Sequence, residues 1–264
     1  MLLTSAALFL SAAVPLAAAA DANFFNGIPV SGVLYDKNIR QHYCSASVVD
    51  SPHGNIIITA SHCLSTDGTE MHFAPGYRNG RAPYGTYAIK ATYVHPGWNK
   101  NFDISLDFAF LTLKKGRYKG RSVNVQEVTG GNRLVINSGL VQTVNVASTA
   151  FKEQRPRTCT TKTYKARDGQ MALHCDPMQS GTSGAPWVAN YNKQTMRGDV
   201  IGVVGGLHTG GCTDETTFSC QFTQATLDTY NRAVAGGPGD DVRGGAPEKC
   251  KNPAKKKIVH KEPK

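Results

Sequence analysis

The apolar residues of this chain fall into short β-branched runs rather than onto long helical stripes. Residues 55–60, 108–113, 134–136, 141–146 and 200–204 each read as a strand, and Gly, Pro, Asn and Asp punctuate the chain between them. One segment, 225–235, has helical spacing and runs into a Gly-Gly-Pro break. Many short strands without alternating helices predict an all-β sandwich or barrel, and the pattern alone does not choose between the two.

The two ends have a different composition. Residues 1–20 carry no charge and run from a Leu-rich stretch into an Ala run, with Ala18-Ala19-Ala20 as a small-residue cleavage site. This reads as a secretory leader, a retained anchor being the alternative, and no other apolar run is long enough to span a bilayer. The remaining chain of about 244 residues is long enough to bury a substantial core in one or two domains. At the other end, 236–264 is rich in Gly, Pro and Lys and is expected to be disordered. Residues 242–264 hold eight Lys or Arg against two Glu, six of the net charge of +10. Such a tail is either a solvated charge run or a tether to an acidic surface polymer; nothing in it specifies a nucleic acid.

Three segments carry candidate chemistry. Thr59-Ala60-Ser61-His62-Cys63 ends a strand in a histidine, Leu106-Asp107-Phe108-Ala109-Phe110-Leu111 opens a strand with a carboxylate, and Gly181-Thr182-Ser183-Gly184-Ala185-Pro186 sets a serine between glycines. A serine hydroxyl is a weak nucleophile until a base takes its proton and a carboxylate orients that base. His, Asp, Ser is one of the chain orders in which hydrolases assemble the three. No histidine pair has convincing zinc spacing, and the chemistry calls for no metal or organic cofactor.

These segments resemble the TAAHC, DIALL and GDSGGP boxes of chymotrypsin-like (trypsin-fold) serine peptidases, and Val94-His95-Pro96-Gly97-Trp98 resembles the loop before their aspartate. The resemblance runs from about residue 25 to 235 and is similar to the secreted bacterial type, near the glutamyl endopeptidase branch. It implies two antiparallel six-stranded barrels, about 21–125 and 126–235, with the active site in the cleft between them and a C-terminal helix. His62 is then the base, Asp107 its orienting carboxylate and Ser183 the nucleophile, with the N–H groups of Gly181 and Ser183 as oxyanion hole. Asp103, in Asp103-Ile104-Ser105-Leu106, also resembles the aspartate box; Asp107 is preferred because the strand after it alternates correctly.

Two departures from the family pattern matter. Thr182 replaces an acidic residue that trypsin-like zymogens pair with a new amino terminus, and no IVGG-like start exists, so activity directly after leader removal is expected. The primary pocket is expected around Pro177, Met178, Val204, Gly205 and Gly206. Pro177 at its floor supplies no counter-charge for a basic side chain, so a small or apolar one is expected.

Seven cysteines behind an export signal argue for disulfides. The resemblance implies Cys44–Cys63. Nearness in sequence suggests Cys159–Cys175 around a turn and Cys212–Cys220 around a small loop, leaving Cys250 free or paired between molecules. The expected activity is endopeptidase action on proteins or peptides; the alternative is a catalytically silent peptidase fold that binds acidic polymers through its basic tail.

Overall fold

The structure, a computed structural model, describes residues 20–37, 41–64, 70–244 and 250. The expected leader, apart from Ala20, and residues 251–264 of the basic tail lie outside the described residues. The chain forms two β-rich halves with a helix at the end.

The first half is a closed barrel of six strands: β1 (Ser31–Asp36), β2 (Gln41–Val49), β3 (Ile56–Thr59), β4 (Met71–Pro75), β5 (Tyr87–Val94) and β6 (Ala109–Leu113). They pair in the order β1-β2-β3-β6-β5-β4, antiparallel throughout, with β4 returning to β1. β3 is Ile-Ile-Ile-Thr because both its faces are covered, so its pattern is continuous rather than alternating. The barrel packs Ile56, Ile57, Ile58, Phe73, Tyr87 and Phe110 into one buried cluster.

The second half contains β7 (Arg133–Leu134), β8 (Thr143–Ser148), β9 (Arg157–Lys162), β10 (Tyr164–Lys165), β11 (Met171–Asp176), β12 (Pro186–Asn192), β13 (Arg197–Val203) and β14 (Thr216–Ser219). It is not the closed antiparallel barrel that the resemblance implied. One sheet runs β7-β13-β12-β8-β9, with the short strand Asn23–Phe24 on its far edge; the other is built on β11. β7 pairs in parallel with β13.

Residues 20–24 explain the open seam. Ala20–Asp21 pairs in parallel with Cys175 and Asp176 of β11, while Asn23–Phe24 pairs with Arg157 and Thr158 of β9. The Ala22 N–H between them donates to the Asp176 carbonyl at 2.7 Å. Facing edges of β9 and β11 therefore spend backbone hydrogen bonds on this segment rather than on each other. A disulfide, Cys159–Cys175, ties the two edges together.

The helix Gln224–Ala235 starts at Thr223, whose backbone N–H donates to the Thr226 hydroxyl at 3.1 Å in a reciprocal cap, and ends at Gly236. Its Tyr230 packs edge-on against Phe110 of the first barrel. Beyond it, the expected disorder does not hold for residues 237–243. The Asp240 N–H donates to the Thr92 carbonyl, its carboxylate accepts from the Val94 N–H at 2.8 Å and pairs with Arg232, and Asn99 holds Asp241 and Arg243. Val242 is buried in the first barrel's cluster. A strand edge and one apolar side chain suffice to order a segment whose composition reads as coil. The halves thus exchange their ends, and the boundary expected at 125/126 does not separate two continuous stretches.

The expected Cys212–Cys220 bridge is also corrected. Cys212 is joined to Cys250, 38 residues on, and Cys220 is a fully buried free thiol. β14 runs between Cys212 and Cys220; its four residues span ~13 Å, well beyond disulfide reach. Burial, and then the charge of Asp107, push the Cys220 thiol above its ordinary pKa, so it is inert.

Candidate active site

His62 sits in a single 3-10 turn, Ser61–Cys63, that breaks from the end of β3. Two anchors fix that turn. Cys63 is bonded to Cys44 of β2, and the Ser61 hydroxyl donates to the Phe108 carbonyl at 2.6 Å. The sulfurs nearest the imidazole are therefore already bonded to each other.

Asp107 follows the short 3-10 turn Ile104–Leu106 and leads into β6. Its side chain is fully buried. One carboxylate oxygen accepts from the His62 backbone N–H at 3.0 Å; the other accepts from His62 Nδ1 at 2.7 Å and from the Gly206 N–H at 2.7 Å. These three donors hold the carboxylate in place, and its bond to Nδ1 fixes the orientation of the ring. Asp103, the competing aspartate, is exposed and caps the 3-10 turn through the Ser105 N–H at 2.9 Å. Among the described residues, its carboxylate makes no hydrogen bond or ion pair with His62.

Ser183 lies on the loop between β11 and β12, and β2 of the first barrel receives that loop. The Ser45 N–H donates to the Ser183 carbonyl at 2.7 Å and the Ser45 hydroxyl to the Gly181 carbonyl at 3.3 Å. Gly184 shows why the motif needs glycine: its φ is +78°, and a Cβ there would stand 2.1 Å from the Thr59 hydroxyl and 2.3 Å from the Ser45 carbonyl. Gly181, at φ +95°, lies as tightly against Phe151. Neither the Gly181 nor the Ser183 N–H has a protein acceptor among the described residues.

The Ser183 hydroxyl itself does not meet the histidine. Its hydroxyl donates, over 3.5 Å, to the carbonyl of Thr209, and His62 Nε2 is buried without a hydrogen-bond partner among the described residues. Thr209 belongs to a one-turn 3-10 segment, Leu207–Gly210, directly after Gly206, and with Gly210 it lines the cleft beside Ser183. Sequence reasoning missed this segment; its signal was the Gly-Gly pair on either side, at 205–206 and 210–211.

A cleft of about 190 Å³ opens beside Ser183, lined by Met178, Gln179, Ser180, Val204, Thr209 and Asp214 among others. Of the residues expected around the pocket, Met178 and Val204 line this cleft. Pro177, Gly205 and Gly206 do not line it, because the Gly205 N–H is tied to the Phe218 carbonyl and the Gly206 N–H to Asp107, behind the cleft wall. The lining is mostly polar, with one carboxylate, Asp214, which accepts from the Gln179 side-chain amide over 3.4 Å.

The sequence model of the trypsin family matches residues 22–226. Among curated proteins, none matches the chain in sequence. Among solved structures, the protease Anisep from Arthrobacter nicotinovorans is similar with a TM-score of 0.68 at 22% identity, covering 81% of this chain and 99% of its own. A thermostable serine protease, AL20, from an extremophilic microorganism has a TM-score of 0.66 at 22% identity, over 79% of this chain and 98% of that one. A Glu endopeptidase has a TM-score of 0.60 at 15% identity, covering 79% and 91%. At these identities the structures speak for the fold; the family match carries the chemistry.

Proposed function

The chain belongs to the trypsin family, the serine-type endopeptidases, and from that premise we propose that it cleaves peptide bonds with Ser183 as nucleophile, His62 as general base and Asp107 as the carboxylate that orients the base. The observation that carries the proposal is the 2.7 Å contact from His62 Nδ1 to a fully buried Asp107, which leaves Nε2 unpaired among the described residues and able to take a proton. Nε2 takes the Ser183 proton as the oxygen attacks the substrate carbonyl, then returns it to the leaving amine. The acyl group stays on Ser183 Oγ until water, deprotonated by the same nitrogen, releases it. The N–H groups of Gly181 and Ser183, unpaired among the described residues, would form the oxyanion hole, each worth about 3–4 kcal/mol of transition-state stabilisation.

The polar lining of the cleft fits a polar substrate side chain better than the small or apolar one expected from sequence. The three disulfides fit an oxidising compartment, and the uncharged leader supports export of the protein to the cell exterior. Among the described residues no helix is long and apolar enough to cross a membrane. Attachment to an acidic polymer rests on the basic residues of 251–264 and is separable from catalysis.

Intact mass after treatment with a fluorophosphonate tests the proposal. One adduct on the wild-type protein, absent from Ser183→Ala and His62→Ala, is the expected result. An adduct that persists in Ser183→Ala, or none on folded wild-type protein, would sink it and favour the silent binding fold.

A further inference from the structure

Two loops, 76–81 and 150–157, meet outside the cleft and carry cations that no neighbour neutralises. Asn79 and Gly80, at φ 49° and 69°, turn a two-residue hairpin in which Arg78 and Arg81 exchange backbone hydrogen bonds at 3.1 and 2.9 Å. Like charges set directly opposite each other destabilise such a pair. In the second loop Lys152 and Arg155 are exposed, and the one carboxylate, Glu153, is held by the Arg157 guanidinium at 2.9 Å. Among the described residues, none of Arg78, Arg81, Lys152 and Arg155 has an ion-pair partner. The loops are stitched together: the Asn79 N–H donates to the Gln154 carbonyl at 2.5 Å, and the Tyr77 hydroxyl to the Gln154 side-chain oxygen at 2.7 Å. They are also fixed to the site. The Phe151 N–H donates to the Ser180 carbonyl at 2.7 Å, and Gly181 packs against the Phe151 backbone. The Phe151 ring is 40% exposed, with the Lys152 ammonium 5.3 Å from its centre.

We propose that Arg78, Arg81, Lys152 and Arg155 form a ridge that recognises acidic residues of the substrate on the amine side of the scissile bond. The inference rests on the catalytic reading of Ser183. The cleft beside Ser183 takes the side chain on the acyl side, and Phe151 does not line it; the flank of Gly181 where Phe151 stands is left to the residues that depart with the amine. A peptide leaving over Phe151 meets Lys152 next along the loop, then Arg155 and the stitched hairpin of Arg78 and Arg81. His42 Nε2 of β2, 2.9 Å from the Glu153 carbonyl, ties the same loop to the first barrel. A substrate carboxylate on the ridge offsets the repulsion between the two opposed arginines. Because the cations are exposed, each contact is weak, and the ridge acts through several charges on encounter and selectivity.

The test compares two peptides that share one cleaved acyl-side sequence and carry either three Glu or three Gln after the scissile bond. Wild-type protein should favour the Glu peptide about tenfold in kcat/KM at low salt, mostly through KM, and about twofold at high salt. Lys152→Glu combined with Arg155→Glu should bring that ratio to one or below. Arg81→Glu, on the other loop, should lower it independently should the paired variant fail to fold. Lys193→Glu makes the same charge change as Arg81→Glu in the turn after β12, off the ridge, and should keep the ratio. General damage to the site slows both peptides equally and leaves the ratio where it was. A wild-type ratio near one, a ratio that survives in the folded ridge variants, or one that falls as far in Lys193→Glu overturns the ridge. In each of these cases fluorophosphonate labelling of the wild-type protein continues and the triad reading stands; absence of that labelling overturns the triad reading and the ridge with it.

Discussion

The first barrel and the second half are built from the same material, short strands of similar length, yet only one of them closes. In the first, every strand has two neighbours and the ladder returns to its start. In the second, residues 20–24 stand in the seam between β9 and β11, and a disulfide spans the gap. The difference maps onto the division of labour. His62 and Asp107 stand on the closed half, joined by a 2.7 Å contact. Ser183 and the cleft lining stand on the open half.

The largest effect should come from breaking the proposed triad, which draws on both halves. Asp107→Asn on the closed half and Ser183→Ala on the open half should each lower kcat/KM by about 10⁴-fold or more, and the double variant should be scarcely worse than Ser183→Ala. Additive losses, measured on a soluble peptide substrate, would mean that the two residues do not act as a unit. Matched cavities would sharpen the contrast next. Ile58→Ala and Ile201→Ala, both at buried positions, should cost about 2–5 kcal/mol, with Ile58 at the upper end because a closed barrel collapses less readily around a void. Denaturant titration reads this directly, and an equal or reversed order would remove the mechanical distinction.

The bridges anchored on β2 and β9 come third. Cys44–Cys63 and Cys159–Cys175 span 19 and 16 residues, so replacing both members of either by alanine should cost a similar amount, about 3 kcal/mol. Only loss of the second should speed amide exchange at Ala22, whose partner lies in the seam. The smallest effect lies between the halves, where His42 Nε2 on β2 meets the Glu153 carbonyl at 2.9 Å. Burial holds the His42 pKa below the ordinary 6.5. The unfolded imidazole therefore takes up a proton before the folded one does, and stability is full above 6.5 and falls as the pH drops towards the folded value. Melting temperatures between about pH 7 and 5 should show this slope, and His42→Gln should flatten it.

What was legible in the sequence is what is chemically local. Thr59 to Cys63, Asp107 with its strand and the glycine-flanked Ser183 each state their geometry within a few residues, since a turn, a strand entry and a tight loop are decided by neighbours. The helix was legible to within one residue for the same reason. Asp103 and Asp107 were separable only by the strand that follows. The rest depends on who meets whom across the molecule. Closeness along the chain made Cys220 look like the partner of Cys212, but an intervening strand turned it inward beside Asp107. Residues 237–243 read as solvated because composition records one apolar residue, Val242, and does not record that Asp240 caps a strand edge. The 3-10 segment Leu207–Gly210 was hidden because left-handed angles at His208 and Thr209 run against their own preferences.

The exchanged ends decide how the molecule comes apart. Neither half is an uninterrupted piece of chain: the seam of the second is filled by residues 20–24, and the first is overlaid by residues 237–243. Excising 25–125 or 126–235 as a recombinant fragment would leave each with an unfilled edge, so the two should melt in a single transition, and co-expressed fragments should recover activity only when each carries the other's terminal segment.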